Sequence, residues 1–361
     1  MRTPPTTPAT SPLLAATLAA IGPADAAATA AAEARQLTLT KPAGSLGQLE
    51  TLGNRLAGIF GTCPPPVPEP ALLCVFAGDH GVWAQGVSPW PQAVTAQMVA
   101  NVAAGGASVN VLARHAGADV LVYDVGLAGP RPDAPGVRHH RVASGTADLS
   151  LGPAMTAEQC GAALAVGLRA AADAAAAGYR CLLAGEVGIG NTTAAAALVS
   201  VFTGRPAAEV TGAGAGAVGA ALAHKKAVVA RAIEVNAATP ADPLAALAAV
   251  GGLEHAAIVG YLLGAARHRL PVILDGVIVC SAALVAVALA PDVRDYLIAG
   301  HDGVEPGIRA ALARLHLDPV LALDLRLGEG SGALTALPVV QSAAKILREM
   351  ATFGDAGVSG G

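Results

Sequence analysis

The chain has 361 residues, room for one large domain with a smaller attachment or for two domains. Hydrophobic residues make up 53%, charged residues 13% and aromatics 3%, so the core has to be filled by small side chains and close backbone contacts. The net charge of −4, with no basic run, leaves out the electrostatic footprint of a nucleic-acid binder.

Along the chain, "MRTPPTTPATSP" (1–12) is rich in Pro and Thr and is expected to be disordered. "LLAATLAAIG" follows a single arginine and several prolines, so it reads as an amphipathic N-terminal helix rather than a signal h-region. Residues 13–60 read as helices broken by the turn "KPAGSLGQLE", and "TCPPPVPEPA" (62–71) is a stiff linker and the best boundary in the chain. Beyond it one unit recurs: an apolar run that ends in Gly or polar residues, then a helical stretch. The runs are "LLCVFAGDHG" (72–81), "DVLVYDVG" (119–126), "CLLAGEVGIG" (181–190), "PVILDGV" (271–277), "YLIAGHDG" (296–303) and "VLALDLRLGEG" (320–330). Such runs suit strands buried on both faces. Helices are expected over 94–114, 157–178, 305–315 and 333–351, with two more in 218–264 broken at "NAATPADP". Six β-α units predict an α/β fold with a doubly wound, mostly parallel sheet. "VIVCSAALVAVALA" (277–290) is too short to span a bilayer, which takes about 20 residues, and reads as a buried helix. The five cysteines form no C-x-x-C pair, which suits buried thiols in a reducing compartment, the cytoplasm.

Asp79, His80, Glu186, Asp275, His301 and Glu329 each stand where an apolar run stops. In open α/β sheets the ligand crevice lies beyond the carboxyl ends of the strands, so these six are expected around one site, although each alone could be a turn or capping residue. "GEVGIGNTT" (185–193) is nearly a P-loop, with Gly185, Gly190 and Thr192 in register but Asn191 where the lysine belongs. Strand, glycine loop and helix make an anion site, or serve only for tight packing. "GAGAGAVG" contains G-x-G-x-x-G at Gly214, Gly216 and Gly219, but "RPAAEV" before it is a poor strand, so a loop packing against a substrate fits better than a dinucleotide site. Lys225 in "HKK" is either solvated or the cation that the glycine loop lacks. Glu329, between Gly328 and Gly330 in "LRLGEGSGA", is either a general base raised by desolvation or an acid favoured by a helix N-terminus. Ser-His-Asp, Cys-His and H-E-x-x-H patterns are absent, and so are the acidic pair and Thr-Gly loop of many pyrophosphate-donor phosphoribosyltransferases. Neither a metal nor a cofactor is expected.

With "KPAGSLGQLE", "FAGDHGV", "VSPWPQAVTAQMV", "GEVGIGNTTAAAAL", "VGGLEHAAIVG", "LPVILDG", "VEPG" and "LRLGEGSGA" in order, residues 35–350 resemble the nicotinate-nucleotide–dimethylbenzimidazole phosphoribosyltransferase family. The resemblance implies a Rossmann-like sheet of six parallel strands and a small helical domain from both chain ends. The corresponding limits are 13–61, a linker at 62–71, a catalytic domain at 72–332 and a returning helix at 333–361. It implies a homodimer that moves a phosphoribosyl group from nicotinate mononucleotide to 5,6-dimethylbenzimidazole. Glu329 matches the family's base and Glu186 a second acid; Gly188, Gly190, Asn191, Thr192 and Lys225 match the phosphate region, and Ser88, Gln97 or Met98 the base pocket. The family usually has Ser where this chain has Gly303 in "GHDGVEPG", which leaves donor affinity the open part of the transfer.

Overall fold

The computed structural model describes residues 11–359. The expectation of disorder over residues 1–10 lies outside them. At residues 11 and 12 it is corrected, because Pro12 already opens a helix capped by the Ser11 hydroxyl.

Six strands build the main sheet: β1 (Ala71–Gly78), β2 (Ala118–Gly126), β3 (Val137–His139), β4 (Cys181–Val187), β5 (Val272–Leu274) and β6 (Leu297–Ala299). All neighbours are parallel and the order is β3-β2-β1-β4-β5-β6. The chain winds outward from β1 in one direction, then returns and winds outward from β4 in the other. The switch point therefore lies between β1 and β4, where such sheets hold their ligands.

Alternation along the strands divides the core. Leu72, Cys74 and Phe76 of β1 face one layer, while Leu73, Val75 and Ala77 face the other. The first layer holds α1 (Pro12–Ala20), then α6 (Ala157–Ala176), α7 (Asn191–Thr203), α9 (Ala220–Asn236), α10 (Pro243–Val250), α11 (Leu253–Arg267), α12 (Val277–Leu289) and α13 (Pro306–Leu315). The second holds α3 (Gln48–Phe60), α4 (Ala93–Ala103), α5 (Ser108–Ala116) and the first half of α14 (Ser331–Glu349). The second half of α14 reaches α2 (Ala26–Gln36): Leu347 is buried with Ala32, Leu39 and Ala57, and Leu39 bridges Thr352. A short α8 (Ala207–Val210) precedes α9. The apolar 277–290 run is the buried helix α12, and among the described residues no helix is long and apolar enough to cross a membrane.

Three expectations are corrected. The 320–330 run does not join the main sheet; only β8 (Leu321–Ala322) pairs, with β7 (His301–Asp302), in a separate two-stranded sheet. Leu323 and Leu327 are more than half exposed, and Asp324 takes a positive φ of 52° that ends the extended course. The sixth strand of the main sheet is β3, which carries exposed Arg138 and His139 and so gives no apolar run. The helix expected over 94–114 is two, α4 and α5, parted at Gly105–Gly106, and the 218–264 stretch is three, with an extra break at Gly251–Gly252.

The alanine and glycine content shows its purpose between α6 and α11. A Cβ on Gly167 would overlap the Ala257 carbonyl oxygen, and one on Gly260 would overlap that of Leu164. The two helices thus touch backbone to backbone. Gly167→Ala is expected to lower the unfolding free energy by at least about 3 kcal/mol, at the upper end for overpacking. Gly161→Ala, on the same helix with open space around it, is expected to gain up to about 1 kcal/mol from helix propensity. Urea denaturation of the pair checks both; equal effects would mean that the helices have room to part.

Candidate active site

The turn before α14 is the most constrained backbone in the site. Gly328, Glu329 and Gly330 have φ values of 82°, 65° and 96°. Glycine adopts this left-handed region freely, but a glutamate there is strained, which is worth attention beside a cavity. Asp275, just beyond β5, holds the turn: its carboxylate accepts the N–H groups of Gly330 at 3.1 Å, Gly332 at 2.7 Å and Ala333 at 3.2 Å. These are orphan donors of the α14 N-terminus, satisfied by a residue far away in sequence. Burial acts to raise the Asp275 carboxyl. The adjacent His301, with Nε2 at 3.6 Å, and backbone N–H groups outweigh it and hold the carboxyl below the usual range.

Glu186 points into the same place from the end of β4. Its Oε1 accepts the Glu329 N–H at 3.4 Å, and Oε2 accepts the Asn191 side-chain amide. Burial pushes Glu186 well above the ordinary carboxylate range, and the charges of Asp275, Glu254 and Glu329 push the same way. Glu329 is raised too, first by burial and then by Asp275. A Cβ on Gly328 would stand 2.5 Å from Glu186 Oε1, so only glycine lets the turn rest against that acid.

After β4, Gly188–Gly190 turn the chain into α7, which starts with no side-chain cap. Its N-terminus opens onto a cavity of ≈ 390 Å³. The N–H groups of Asn191 and Thr193 already donate to the Gly188 and Gly190 carbonyls at 3.1 and 3.0 Å, so the anion-binding character of this end rests on the helix dipole and the remaining first-turn N–H of Thr192. Lys225 of α9 sits behind it, 1% exposed, with Nζ donating to Thr192 Oγ1 at 2.8 Å. Burial lowers the Lys225 ammonium to about 8, with Glu305 acting in the opposite sense. Glu305 itself accepts the Gly214 N–H at 2.7 Å.

Of the residues singled out in the sequence, Glu186, Glu329, Gly188, Gly190, Asn191, Thr192, Gly303, Gly328, His301, Ser88 and Met98 line this cavity. Lys225, Asp275 and Gly330 stand one step behind its wall, through Thr192, the α14 turn and Asp275 respectively. Gln97 is corrected: it is exposed and off the wall, because α4 turns Val94, Thr95 and Met98 inward. Asp79 and His80 are corrected as well. Asp79 Oδ2 accepts the Ala128 N–H at 2.9 Å, and His80 Nε2 lies 2.6 Å from Glu254 Oε1. A Cβ on Gly190 would meet the His80 Cβ at 3.3 Å, so His80 packs against the glycine loop with its stem while its ring turns to Glu254.

His80, Glu254 and His255 are fully buried, with ligand-type atoms within 4.8 Å of one another. Both imidazoles meet the same Glu254 oxygen, at 2.6 and 2.8 Å. Zinc ligands about 2.0–2.2 Å from a tetrahedral ion would stand about 3.4 Å apart; here the His80 contact is a hydrogen bond, while neither ring nitrogen of His255 has a hydrogen-bond partner. Burial opposes both charges, but Glu254 raises the His80 ring, and the two histidines hold Glu254 below the usual range. The network fastens the end of β1 to α11.

Several wall residues were missed by sequence reasoning. Glu305 was hidden in "VEPG". Thr95 accepts the Ile189 N–H at 3.1 Å and so ties α4 to the glycine loop. Trp90 stood between prolines in "VSPWPQ". The loop at Gly214–Ala215 does line the cavity, while the dinucleotide pattern around it follows α8 and lacks the strand it requires.

Comparison with known proteins agrees with this geometry. The family model DBI_PRT, described as phosphoribosyltransferase, matches residues 21–358. A nicotinate-nucleotide–dimethylbenzimidazole phosphoribosyltransferase from Salinispora tropica is 53% identical over 338 residues, covering 90% of this chain and 93% of that protein. One of the same name from Chloroflexus aggregans is 52% identical over 325 residues, covering 90% and 92%. The crystal structure of CobT from Thermus thermophilus superposes with a TM-score of 0.89 at 46% identity, over 93% of this chain and 100% of that one. With the match running through both the glycine loop and the strained glutamate turn, the chain belongs to the nicotinate-nucleotide–dimethylbenzimidazole phosphoribosyltransferase family.

Proposed function

We propose that this chain transfers the phosphoribosyl group of nicotinate mononucleotide to 5,6-dimethylbenzimidazole, giving α-ribazole 5′-phosphate and nicotinate. The observation that carries the reading is the pairing, across one cavity, of an uncapped helix N-terminus with a desolvated glutamate. The first suits a monophosphate; the second suits a base for an N–H acid.

The donor carries one phosphate, not three. Backbone N–H groups near Gly188 and the Lys225 ammonium behind Thr192 suffice for a dianion, and no pyrophosphate calls for a bridging metal. At Gly303 only the backbone is offered. A serine Cβ there would meet His301 and the Leu325 carbonyl at 3.1 Å, so these neighbours would have to yield by tenths of an ångström. In the transfer, one benzimidazole nitrogen forms a bond to ribose C1′. The C1′–pyridinium bond breaks, and its electron pair returns to the ring to give neutral-ring nicotinate, so the leaving group needs no proton. The proton of the other benzimidazole nitrogen goes to the Glu329 carboxylate. Beside it, burial and the neighbouring carboxylates raise Glu186, as burial and Asp275 raise Glu329. In this reading residues 72–332 are the catalytic domain, and the helices at both chain ends form the small domain. The enzyme is a homodimer, and its five free cysteines suit the cytoplasm.

Incubation with nicotinate mononucleotide and 5,6-dimethylbenzimidazole is expected to release nicotinate; no release would overturn the reaction. Glu329→Gln is expected to cut kcat on the order of 10²–10⁴-fold and to leave donor affinity nearly intact. A loss under about tenfold would remove Glu329 from the role of base, and a larger loss in Glu186→Gln would exchange the two assignments. The parent's kcat is expected to fall as pH drops through the raised Glu329 pKa, above the 4.5 of an ordinary glutamate.

Lys225 sets the alkaline side. Its charge is present below about pH 8 and lost above it, so kcat/KM for the donor is expected to fall above that pH. Lys225→Arg should move this limb upward, because guanidinium stays charged. Lys225→Ala should abolish the limb and weaken donor binding by about 1.5–3 kcal/mol, one charge-assisted hydrogen bond. An unchanged limb in both variants would put the phosphate elsewhere. For the assembly, sedimentation at micromolar concentration should give twice the 35.3 kDa of one chain, and a monomer mass would refute the dimer.

A further inference from the structure

The glycine pattern at Gly214, Gly216 and Gly219 follows α8 and has no dinucleotide site to serve, but its first glycine has another task. Gly214 has a φ of 53°, and a Cβ on it would stand 2.6 Å from Thr192 Oγ1 and 2.7 Å from Lys225 Nζ. Only glycine lets this loop close over the Lys225 ammonium. From the other side the loop is held by Glu305. Its Oε1 accepts the Gly214 N–H at 2.7 Å, and a Cβ on Gly212 would overlap the same carboxylate. Glu305 is the N-cap residue of α13, yet its side chain makes no capping hydrogen bond there and reaches the loop instead.

Lys225 needs such a neighbour. It is 1% exposed and has three N–H donors, and among the described residues its hydrogen-bond partner is the neutral Thr192 hydroxyl. A buried ammonium in that state is costly without a counter-charge. The helices packed around it offer little. α7 and α10 carry no charged residue, and Asp242 caps α10. Glu209 of α8 is exposed and pairs with Arg205 at 3.5 Å. On α9 itself His224, Arg231 and Glu234 are exposed, and the half-buried Lys226 adds only positive charge. The carboxylate that acts on Lys225 is Glu305.

We propose that Glu305 is a positioning residue for the phosphate-side cation: it pins the 212–216 loop against Lys225 and supplies the counter-charge of the buried ammonium before a donor arrives. The inference rests on the reading of Lys225 as the partner of the donor phosphate. Burial lowers the Lys225 ammonium to about 8, and the charge of Glu305 opposes that fall. Without this charge the ammonium loses its proton at a lower pH, and the arriving phosphate meets a neutral amine.

Glu305→Gln tests the charge, since it keeps an acceptor for the Gly214 N–H. An opposite charge close by shifts such a group by about one unit or more. Relative to the parent at the same pH, kcat/KM for nicotinate mononucleotide is therefore expected to fall by less than about twofold at pH 6 and by about fivefold at pH 8. Glu305→Ala, which also frees the loop, is expected to lose more than Glu305→Gln at pH 6; an equal loss there would overturn the pinning. Lysine 13Cε resonances of the substrate-free protein separate the inference from the reaction. The chain has four lysines, and the Lys225 signal is the one missing from Lys225→Arg. Its titration midpoint is expected at about 8 in the parent and about one unit lower in Glu305→Gln. An unmoved midpoint, with a kinetic loss equal at every pH, is the mark of a purely structural residue and would overturn the counter-charge. A midpoint that moves while the kinetic limb stays in place upholds Glu305 and removes Lys225 from donor binding instead.

Discussion

Three carboxylates, Asp275, Glu186 and Glu329, are buried at one end of one sheet, where like charges raise one another's proton affinity. The backbone sets them apart. Asp275 takes the N–H donors of α14 and keeps its charge. Burial raises both glutamates, Glu186 further because it is the more deeply buried, and the charge of Asp275 and, at Glu186, that of Glu254 add to it. The cap that sets Asp275 apart is made by a strand-end aspartate to a helix that begins 56 residues later (331 against 275).

The same helix-end logic appears twice. α7 and α14 both begin after a glycine in the left-handed region, Gly190 with φ 99° and Gly330 with φ 96°. Neither has a side-chain cap from its own N-cap residue, and both starts stand at the carboxyl ends of the strands. At α14 the open N–H groups are filled from within, by Asp275. At α7 the Asn191 and Thr193 N–H groups are taken by the Gly188 and Gly190 carbonyls, and the helix start lines the cavity with Lys225 behind it. One positive helix end therefore anchors the Gly-Glu-Gly turn, and the other opens onto the cavity.

Much of this was readable in the sequence. Runs of apolar residues that end in Asp, Glu or His mark strands buried on both faces, and β1, β2, β4, β5 and β6 all follow that pattern. β3 does not, because a three-residue edge strand with Arg138 and His139 exposed has no need of an apolar run. The 320–330 stretch failed for the complementary reason: its alternating leucines suit a strand with one solvated face, and Asp324 and the Gly-Glu-Gly turn bend it away from the sheet. In the site, "GEVGIGNTT" and "LRLGEGSGA" announced themselves by glycine spacing, since glycine reports on backbone geometry. Asp79 and His80 misled because strand-end position says where a residue begins, not which way its side chain turns. His80 goes to Glu254, a partner on α11 that only the fold brings near. Gln97 was misread for a similar reason: a helix starting at Ala93 sends Val94 and Met98 to one side and Gln97 to another.

The strained φ of Glu329 links these points. A free glutamate at that position would relax toward an ordinary backbone conformation and swing its carboxylate away from the cavity. The turn cannot relax, because both flanking glycines are committed: Gly328 lies against Glu186, and a Cβ on Gly330 would strike Leu73 of β1. Gly185 of β4 completes the lock, since any side chain there would overlap the Glu329 carbonyl. The turn that aims the carboxylate is thus fixed by contacts from two central strands and one helix end. That is the physical reason to find strain at this residue: local backbone energy of about 1–3 kcal/mol is offset by the packing of the whole sheet, and it secures an orientation that an unstrained loop would have to find anew for each substrate.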